Sequence, residues 1–572
     1  MTSHLLSSIL FLPLAGMLVL LAMPSENRKL IRGWANAVSI ATFLLSLCLI
    51  IRFDINAGGY QFMERAQWIP SIGAQYLLGM DGISLLMVLL TTLISAIAVL
   101  CSWRSITDRS KLFYSMILLL ETGVLGVFLS LDLFLFYLFW DVVLIPMYFL
   151  IGIYGGERRG YAAIKFFLYT LLGSLFMLLG FLALYFQYAA QYGVYTFELQ
   201  KLLTLNLPAG TEEWIFFALF LGFAVKIPMF PLHTWLPDAH TEAPTAGSVL
   251  LASLLLKMGT YGFLRFSLPL LPKASTQTWI VQLMVALSLI AIIYGALVCL
   301  TQRDWKRLVA YSSVSHMGFC TLGIFALNAK GLTGSVIQQV NHGITTGLLF
   351  LLVGFIYERR HTREISEFGG VAQVMPFYAT VFAITVFASA GLPLLNGFIG
   401  EFTILSGAFQ VNLWWAVVGV IGLILGAAYL LWLFQRTMLG PLKQEENKSL
   451  RDLFPRERLL VLPLVFLAFA IGIYPRPLFA VLEKPVQNIL MRLAPDPRSG
   501  IADSSPATPP GRNVSTQETV ASPSACWRPA LAPTTPALTQ GAGSKLSAGR
   551  KNRAPRLLYR STFLSLIQVE AR

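Results

Sequence analysis

The chain has few charged residues, few cysteines and none of the common nucleotide-binding motifs. Charged residues make up 12% of its 572 residues and hydrophobic residues 56%, so polar side chains are too few to cover a soluble globule of this length. The five cysteines are scattered without CxxC spacing, which leaves no iron–sulfur or zinc site to assign. GxGxxG and GxxxxGKS/T loops are also missing. The sequence therefore predicts no metal and no cofactor on this chain.

The net charge of +14 does not indicate nucleic-acid binding. The basic residues form short clusters between apolar runs, which is typical of the cytoplasmic loops of membrane proteins. About 21 of them fall in one alternating set of loops and about 6 in the other. Since positive charge stays in the cytoplasm, we expect the N-terminus on the periplasmic side of a bacterial inner (plasma) membrane.

Long apolar runs dominate the chain up to about residue 475. A bilayer core needs about 20 apolar residues per helix, which predicts an all-α polytopic membrane protein with about fourteen spans. The first run lacks a basic flank and a cleavage site, so it is predicted to be a retained span. The predicted spans are residues 4–23, 33–51, 82–102, 112–130, 131–154, 164–187, 214–236, 245–270, 278–300, 305–328, 333–356, 376–410, 412–435 and 457–475.

Two of these spans contain helix-breaking residues in their middle. Pro228 follows Lys226 in the seventh span, and Gly391 and Pro393 interrupt the twelfth, which is too long for one straight crossing. The breaks are five spans apart, so the second copy enters the membrane in the opposite direction. Paired interruptions indicate two inverted five-helix repeats with a polar site at the bilayer midplane; simple kinks are the alternative. The expected division is N-terminal helices in 1–111, repeats in 112–270 and 278–435, and a cytoplasmic loop with a C-terminal helix in 436–493.

Charges inside the predicted spans are the main functional signal. Lys226 and Lys257 lie at mid-membrane depth, where a lysine costs several kcal/mol unless it faces an interior partner or a water-filled path. Asp141 lies about 15 Å into its span and is either a neutral hydrogen-bonded acid or a partner of Lys226. Pairing keeps Lys226 protonated, and separation favours release of its proton. These residues predict ion or proton transfer.

Two histidines and one acid in the second half are candidates for the same path. His316 lies among serines in the tenth span, and its ordinary pKa of about 6.5 suits proton transfer. His342 lies beside Asn341 and Thr345 in the eleventh. For both histidines the alternatives are a hydrogen-bonded core residue or a haem ligand. Glu401 is either the last proton site before the outside or a cap on the second half-helix.

Other ionisable residues have auxiliary roles. Glu121 is at membrane depth, where we expect it to bias Asp141 or to contact a neighbouring subunit. The acids near span ends are expected to be solvated or to cap helices; they are Asp81, Asp132, Asp238 and Glu242. A proton-uptake funnel in PLHTWLPDAHTEAP is predicted to be lined by His233, Asp238 and His240.

Four segments carry a family resemblance: FWDVVLIPMYFLIGIYGG, AVKIPMFPLHTWLPDAHTEAPTAGSVLLASLLLKMGTYG, DWKRLVAYSSVSHMGF and YERRHTREISEFGGVA. In these segments the sequence resembles the chain M family of the proton-pumping NADH:quinone oxidoreductase, respiratory complex I, over about residues 1–490. The block around Lys226 and Lys257 is shared with Mrp-type cation/proton antiporters and membrane-bound hydrogenases, and a subunit of one of these is the rival interpretation. The stretch 358–371 is more specific to chain M.

The resemblance implies a proton channel and a hydrated row of charges that continues into antiporter-like subunits on both sides within the lipid bilayer. It implies outward proton movement driven by quinone reduction elsewhere, with NADH, FMN, iron–sulfur clusters and quinone on partner subunits. Carried over by position, the channel lysine is Lys226, the central lysine is Lys257, and the remaining sites are His316, His342 and Glu401. The family usually has glutamate where this chain has Asp141, whose reach is shorter by about 1.5 Å.

The composition changes abruptly at about residue 494 to Pro, Ser, Thr, Ala and Arg without aliphatic periodicity. This basic tail, 494–572, is predicted to be disordered, or to be a translated frame error. It has no counterpart in the family resemblance.

Truncation after residue 494 tests this interpretation of the tail. A disordered, dispensable segment can be removed without loss of packing, so assembly and turnover of the truncated protein are expected to equal those of the full chain. Native gel electrophoresis and activity assays of membranes measure both. Loss of the assembled protein would show that the tail binds a partner.

Overall fold

The computed structural model of this chain describes residues 4–442 and 444–494. Within these ranges the protein is a bundle of long helices with one two-stranded sheet. The predicted tail lies outside the described residues, except for Ala494.

The part of the chain before the first predicted repeat contains three helices and the two-stranded sheet. In order, these elements are α1 (Leu5–Ala22), α2 (Arg28–Arg52), β1 (Gln61–Ile69), a 3-10 turn (Pro70–Ile72), β2 (Ala74–Met80) and α3 (Gly82–Cys101). The first predicted repeat contains α4 (Ser110–Leu129), α5 (Leu133–Val142), α6 (Leu144–Tyr154), α7 (Arg159–Tyr192), α8 (Leu199–Leu202), α9 (Ala209–Lys226), α10 (Trp235–Glu242), α11 (Thr245–Leu250), α12 (Leu256–Gly262) and α13 (Leu268–Leu270).

The second predicted repeat has the same order of long elements, with a broken helix in fourth place. After the short α14 (Pro272–Thr276), it contains α15 (Thr278–Thr301), α16 (Trp305–Phe325), α17 (Ala329–Arg360), α18 (Pro376–Ser389), α19 (Asn396–Val411) and α20 (Leu413–Met438). Two 3-10 turns, Ile365–Glu367 and Val371–Gln373, precede α18. The chain continues through α21 (Glu445–Lys448), α22 (Pro455–Ile473) and α23 (Arg476–Leu493).

Eleven helices in the described ranges are long and apolar enough to cross a membrane, or twelve if the bent pair α22–α23 is one span. The all-α polytopic fold is thereby confirmed, whereas the count of fourteen stays a prediction. The predicted spans that fall outside the eleven are 214–236, 376–410 and 457–475. The first two are the interrupted spans, and the third continues after a bend of 73° into α23, which the sequence analysis did not predict as a helix.

Both predicted interruptions are present. Helix α9 ends at Lys226 and α10 begins at Trp235, because Pro228 cannot continue the backbone hydrogen bonding of a helix. Helix α18 ends at Ser389 and α19 begins at Asn396. In this second break Gly391 has φ +76°, a left-handed conformation that favours glycine.

The span that carries Lys257 is continuous but irregular. Two π-helical turns, Leu251–Leu255 and Phe263–Ser267, flank α12 on either side. A π-turn leaves backbone carbonyls out of α-helical register, and such turns occur often at functional sites. The Ala252 carbonyl in the first of these turns accepts a hydrogen bond from Lys257 Nζ.

The antiparallel hairpin of β1 and β2 was not predicted from the sequence. Its register pairs Glu64 with Leu78 and Arg65 with Leu77. Glu64 is 6% exposed, and its carboxylate accepts hydrogen bonds from Leu6 N at 2.7 Å, from Ser7 N at 3.1 Å and from the Ser7 hydroxyl. A carboxylate at a helix N-terminus satisfies free N–H groups and complements the helix dipole. Glu64 therefore fixes the hairpin to the start of α1.

Two acids predicted to cap helices do so. Asp81 accepts from Ile83 N and Ser84 N at the start of α3, and Asp132 accepts from Phe134 N and Leu135 N at the start of α5. Asp81 also forms a two-point ion pair with Arg265, with N–O distances of 2.6 and 2.8 Å. This pair joins α3 to the second π-turn of the Lys257 span.

Replacement of Glu64 by alanine should destabilise the protein by about 1–3 kcal/mol, because one buried and two partly buried donors lose their acceptor. Heating of detergent-solubilised membranes, followed by assay of the remaining assembled protein, measures the change. Glu26→Ala is the matched control, since Glu26 is exposed and its side chain makes no hydrogen bond with the described residues. Equal thermal stability of the two variants would contradict the anchoring role of Glu64.

Candidate proton-transfer site

Lys226 is enclosed by aromatic side chains at the C-terminal end of α9. It is 1% exposed, and its Nζ lies 5.3 Å from the centre of the Trp140 ring and 5.9 Å from that of Phe166. Its Nζ has no hydrogen-bond partner among the described residues. The ammonium group is therefore stabilised by ring faces and by the helix dipole rather than by a fixed acceptor.

The predicted pairing of Asp141 with Lys226 is not a direct contact in this conformation. Among the described residues, no carboxylate lies within the 4.0 Å salt-bridge distance of Lys226 Nζ, although Asp141 is close enough to attract it electrostatically. One carboxylate oxygen, Asp141 Oδ1, is buried without a hydrogen-bond partner in the described part of the chain. In this conformation the Asp141 carboxylate and the Lys226 ammonium group are therefore separated, which is consistent with the shorter side chain of aspartate.

The helices that carry the two lysines are in close contact. A Cβ on Gly259 would lie 2.6 Å from Ile227 Cγ1 and 2.7 Å from the Phe223 carbonyl oxygen, so only glycine fits between α12 and the end of α9. Gly259 is two residues from Lys257, and Ile227 follows Lys226. The helix break after Lys226 therefore packs against the span of Lys257 close to both lysines.

Lys257 and His342 form a buried hydrogen-bonded pair. Lys257 is fully buried, and its Nζ lies 2.7 Å from His342 Nδ1. The first π-turn is held against α17 beside this pair, because Ser253 Oγ donates to the Gly343 carbonyl at 2.8 Å. The structure thus brings together two residues that the sequence placed on different predicted repeats.

His316 and Glu401 form the second buried pair. His316 Nδ1 lies 2.9 Å from Glu401 Oε1, and Gln338 Nε2 donates to the same oxygen at 3.0 Å. The other imidazole nitrogen, His316 Nε2, lies 3.4 Å from the Tyr429 hydroxyl. Glu401 does not cap α19, whose N-cap residue Leu395 has no side-chain hydrogen bond. The capping alternative for Glu401 is therefore wrong.

The two pairs adjoin each other. The centres of the His316 and His342 rings are 5.9 Å apart, so the imidazoles are neighbours without a direct hydrogen bond. His342 Nε2 has no hydrogen-bond partner among the described residues. Lys257, His342, His316 and Glu401 form a series of titratable groups within the protein interior, interrupted at one step between the rings.

Sequence reasoning missed several polar side chains around this series. Gln338 and Tyr429 contact the second pair directly. Thr260 Oγ1 donates to Gln339 Oε1 at 2.7 Å and links the Lys257 span to α17. The available signal was a polar stripe at helical spacing along the buried α17, formed by Ser335, Gln338, Gln339, Asn341, His342 and Thr345.

The auxiliary residues occupy different environments. Glu121 is 1% exposed, and among the described residues its carboxylate accepts only a long hydrogen bond, 3.4 Å, from the Ser39 hydroxyl. Asp238 is ion-paired with Lys165 at 2.7 Å. His233 and His240 are buried, and His240 stacks on Phe350 with ring centres 4.6 Å apart. The uptake funnel stays a prediction. Its one acidic residue, Asp238, forms the ion pair with Lys165.

The interrupted helices and the enclosed series of lysine, histidine and carboxylate define a multi-pass membrane protein of the antiporter-like class. The chain belongs to the family described as NADH:quinone oxidoreductase/Mrp antiporter, transmembrane, whose sequence profile matches residues 130–426. The expected family resemblance is thereby confirmed.

Similar proteins match most of this chain. NADH-quinone oxidoreductase subunit M of Rhodobacter capsulatus is 46% identical over 492 residues, which cover 82% of this chain and 93% of that protein. Subunit M of Rickettsia prowazekii (strain Madrid E) is 43% identical over 492 residues, covering 85% and 99%. Among solved structures, a chain of respiratory complex I from Thermus thermophilus with bound NADH superimposes with a TM-score of 0.77 at 33% identity, covering 86% of this chain and 100% of that one.

Substitution of Asp141 tests whether its charge acts on Lys226 through space. Asp141→Asn keeps the shape and removes the charge, so proton movement should be lost. Asp141→Glu should be tolerated, because the longer side chain keeps the charge and approaches Lys226 more closely. Quenching of a pH-sensitive dye in membrane vesicles measures both variants. Unimpaired proton movement in the asparagine variant would make Asp141 a neutral acid and Glu121 the next candidate.

Proposed function

We propose that this chain is a membrane-arm subunit of a proton-pumping NADH:quinone oxidoreductase and moves protons outward while other subunits reduce quinone. The observation that carries the proposal is the Lys257–His342 pair next to the His316–Glu401 pair, four titratable groups enclosed in a helix bundle. A buried lysine is costly in a membrane protein and is retained where it serves transport. A purely structural scaffold would not need these groups.

In this proposal Lys226 and Asp141 form the loading step. Lys226 holds its proton when Asp141 approaches and releases it when the acid moves away, since the attraction of a neighbouring carboxylate adds to the weaker stabilisation by the ring faces and the helix dipole and offsets the cost of burial. Asp238, His233 and His240 lie on the segment that follows Lys226 and supply its protons from the cytoplasm. The lack of a fixed acceptor at Lys226 Nζ among the described residues supports a movable partner.

The unloading step runs through the second half of the protein. Lys257 Nζ and His342 Nδ1, 2.7 Å apart, are within direct proton-transfer distance, and so are His316 and Glu401 at 2.9 Å. Glu401 is then the last proton site before the periplasm. The net step is one proton lost from the cytoplasmic side and one gained outside, with no change in oxidation state on this chain.

The partners of the chain are part of the same proposal. Other membrane subunits, with antiporter-like neighbours on both sides, lie beside it in a bacterial inner membrane, and its N-terminus faces the periplasm. NADH, FMN, iron–sulfur clusters and quinone bind to partner subunits. A subunit of an Mrp-type antiporter or a membrane-bound hydrogenase is not favoured, because the relatives that match nearly their whole length at 43–46% identity are subunits M of NADH-quinone oxidoreductases.

Lys226→Ala should abolish proton pumping and, if pumping is obligatorily coupled, most quinone reduction. Lys226→Arg should fail as well, because a guanidinium does not release its proton at accessible pH. NADH-driven dye quenching and quinone reduction in membrane vesicles measure both activities. Lys330→Ala is the control, since Lys330 is exposed at the start of α17. Pumping at the wild-type rate by either Lys226 variant would overturn the proposed function.

A further inference from the structure

Helix α19, which carries Glu401, is held closely against α17. A Cβ on Gly334 would lie 2.7 Å from Ile404 N, and a Cβ on Gly407 would lie 2.5 Å from Gly331 N, so glycines on both helices allow backbone contact. Small residues of this kind are typical of close helix pairs in membranes. The position of Glu401 relative to α17 is therefore fixed by direct contact between the two helices.

Amide side chains connect the same two helices at three levels. Asn328 Nδ2 donates to the Gly407 carbonyl at 2.8 Å near one end. Gln338 Nε2 donates to Glu401 in the middle, and Asn341 Nδ2 donates to the Asn396 carbonyl at 2.6 Å at the break. Asn341 is thus a positioning residue, since it fixes the first residue of α19 beside His342.

Asn396 itself has no partner for its side chain. It is completely buried, and neither Asn396 Nδ2 nor Asn396 Oδ1 makes a hydrogen bond with any described residue. It lies four residues before Gly400, whose position contacts Gln338, so both face α17 on one side of the helix. An amide buried without partners costs about 1–3 kcal/mol, and an apolar residue would avoid this cost.

Six buried polar atoms on α17 and α19 have no hydrogen-bond partner among the described residues. They are Gln338 Oε1, Asn341 Oδ1, His342 Nε2, Asn396 Nδ2, Asn396 Oδ1 and Glu401 Oε2. Gly391 keeps one side of the carboxylate open, because a Cβ there would lie 2.9 Å from Glu401 Oε2. Buried water typically makes two to four hydrogen bonds to otherwise unsatisfied polar groups of this kind.

We propose that the helix break before α19 contains a binding site for ordered water, with the Asn396 amide at its centre, and that this water carries protons from His342 across the gap between the two imidazole rings to the His316–Glu401 pair. The inference rests on the proposed function. It supplies the transfer step between the His342 and His316 rings, which make no direct hydrogen bond. The amide donates through Nδ2 and accepts through Oδ1, so it orients water in either direction without itself being protonated.

Asn396→Val and Asn396→Thr form the matched pair that tests the site. The two side chains have the same shape and differ in one methyl and one hydroxyl group, so only threonine can bind water. Quinone reduction and dye quenching are measured on the complete complex in membrane vesicles, with assembly checked on native gels. We expect the valine variant to assemble and to lose about tenfold or more in coupled turnover, and the threonine variant to keep most of it. If valine prevents assembly, Asn396→Ala and Asn396→Ser give the same comparison.

A valine variant that pumps at the wild-type rate would overturn the proposal, as would equally slow valine and threonine variants, which would indicate a packing role. Glu401→Gln is measured in the same series. If it pumps normally, the proposed function fails at its last step. If Glu401→Gln is blocked while the valine and threonine variants behave alike, only the water site fails. A larger solvent deuterium isotope effect in the valine variant than in the wild type is expected if its proton transfer has become rate-limiting.

Discussion

The structure depends on one constraint: lipid offers no hydrogen-bond partner, so each polar group in the membrane interior must find one within the protein. Lys257 meets it with the Ala252 carbonyl and His342, and Glu401 meets it with His316 and Gln338. The π-turns, the amide contacts of α17 and the close helix pairs that glycines permit all follow from bringing these partners within reach. The side chains of Lys226 and Asn396 are examples of polar groups that have no hydrogen-bond partner among the described residues. Such a group remains free to exchange partners.

The two broken helices solve different electrostatic problems. Lys226 is the last residue of α9, so the negative end of the helix dipole favours its cation. Glu401 lies beyond the first turn of α19, where the dipole has little effect, and its carboxylate is stabilised by side chains from α16 and α17 instead. The first break therefore leaves its charge loosely held, whereas the second holds its charge in a fixed network.

Much of the fold follows from local sequence rules. Apolar runs of membrane length locate the spans, and Pro228, Gly391 and Pro393 locate both breaks, because these effects act within a few residues. The pairing of Lys257 with His342 was not predictable, since it depends on how α12 packs against α17 across about 85 residues. The hairpin of β1 and β2 was missed because the polar and apolar residues of β1 do not alternate regularly, and α23 because it is amphipathic rather than apolar throughout. The lack of hydrogen-bond partners for the Asn396 side chain among the described residues was not predictable either, since it is a property of the packed interior.

The π-turns on either side of Lys257 have a consequence for the geometry of its span. A π-turn contains one residue more per turn than an α-turn, and each residue of an α-helix turns the chain by about 100°. If Leu251–Leu255 tightened while Phe263–Ser267 widened, only α12 between them would rotate, and the ends of the span would stay in place. The direction in which Lys257 points, and hence its contact with His342, is therefore set by the winding of the backbone on either side of it.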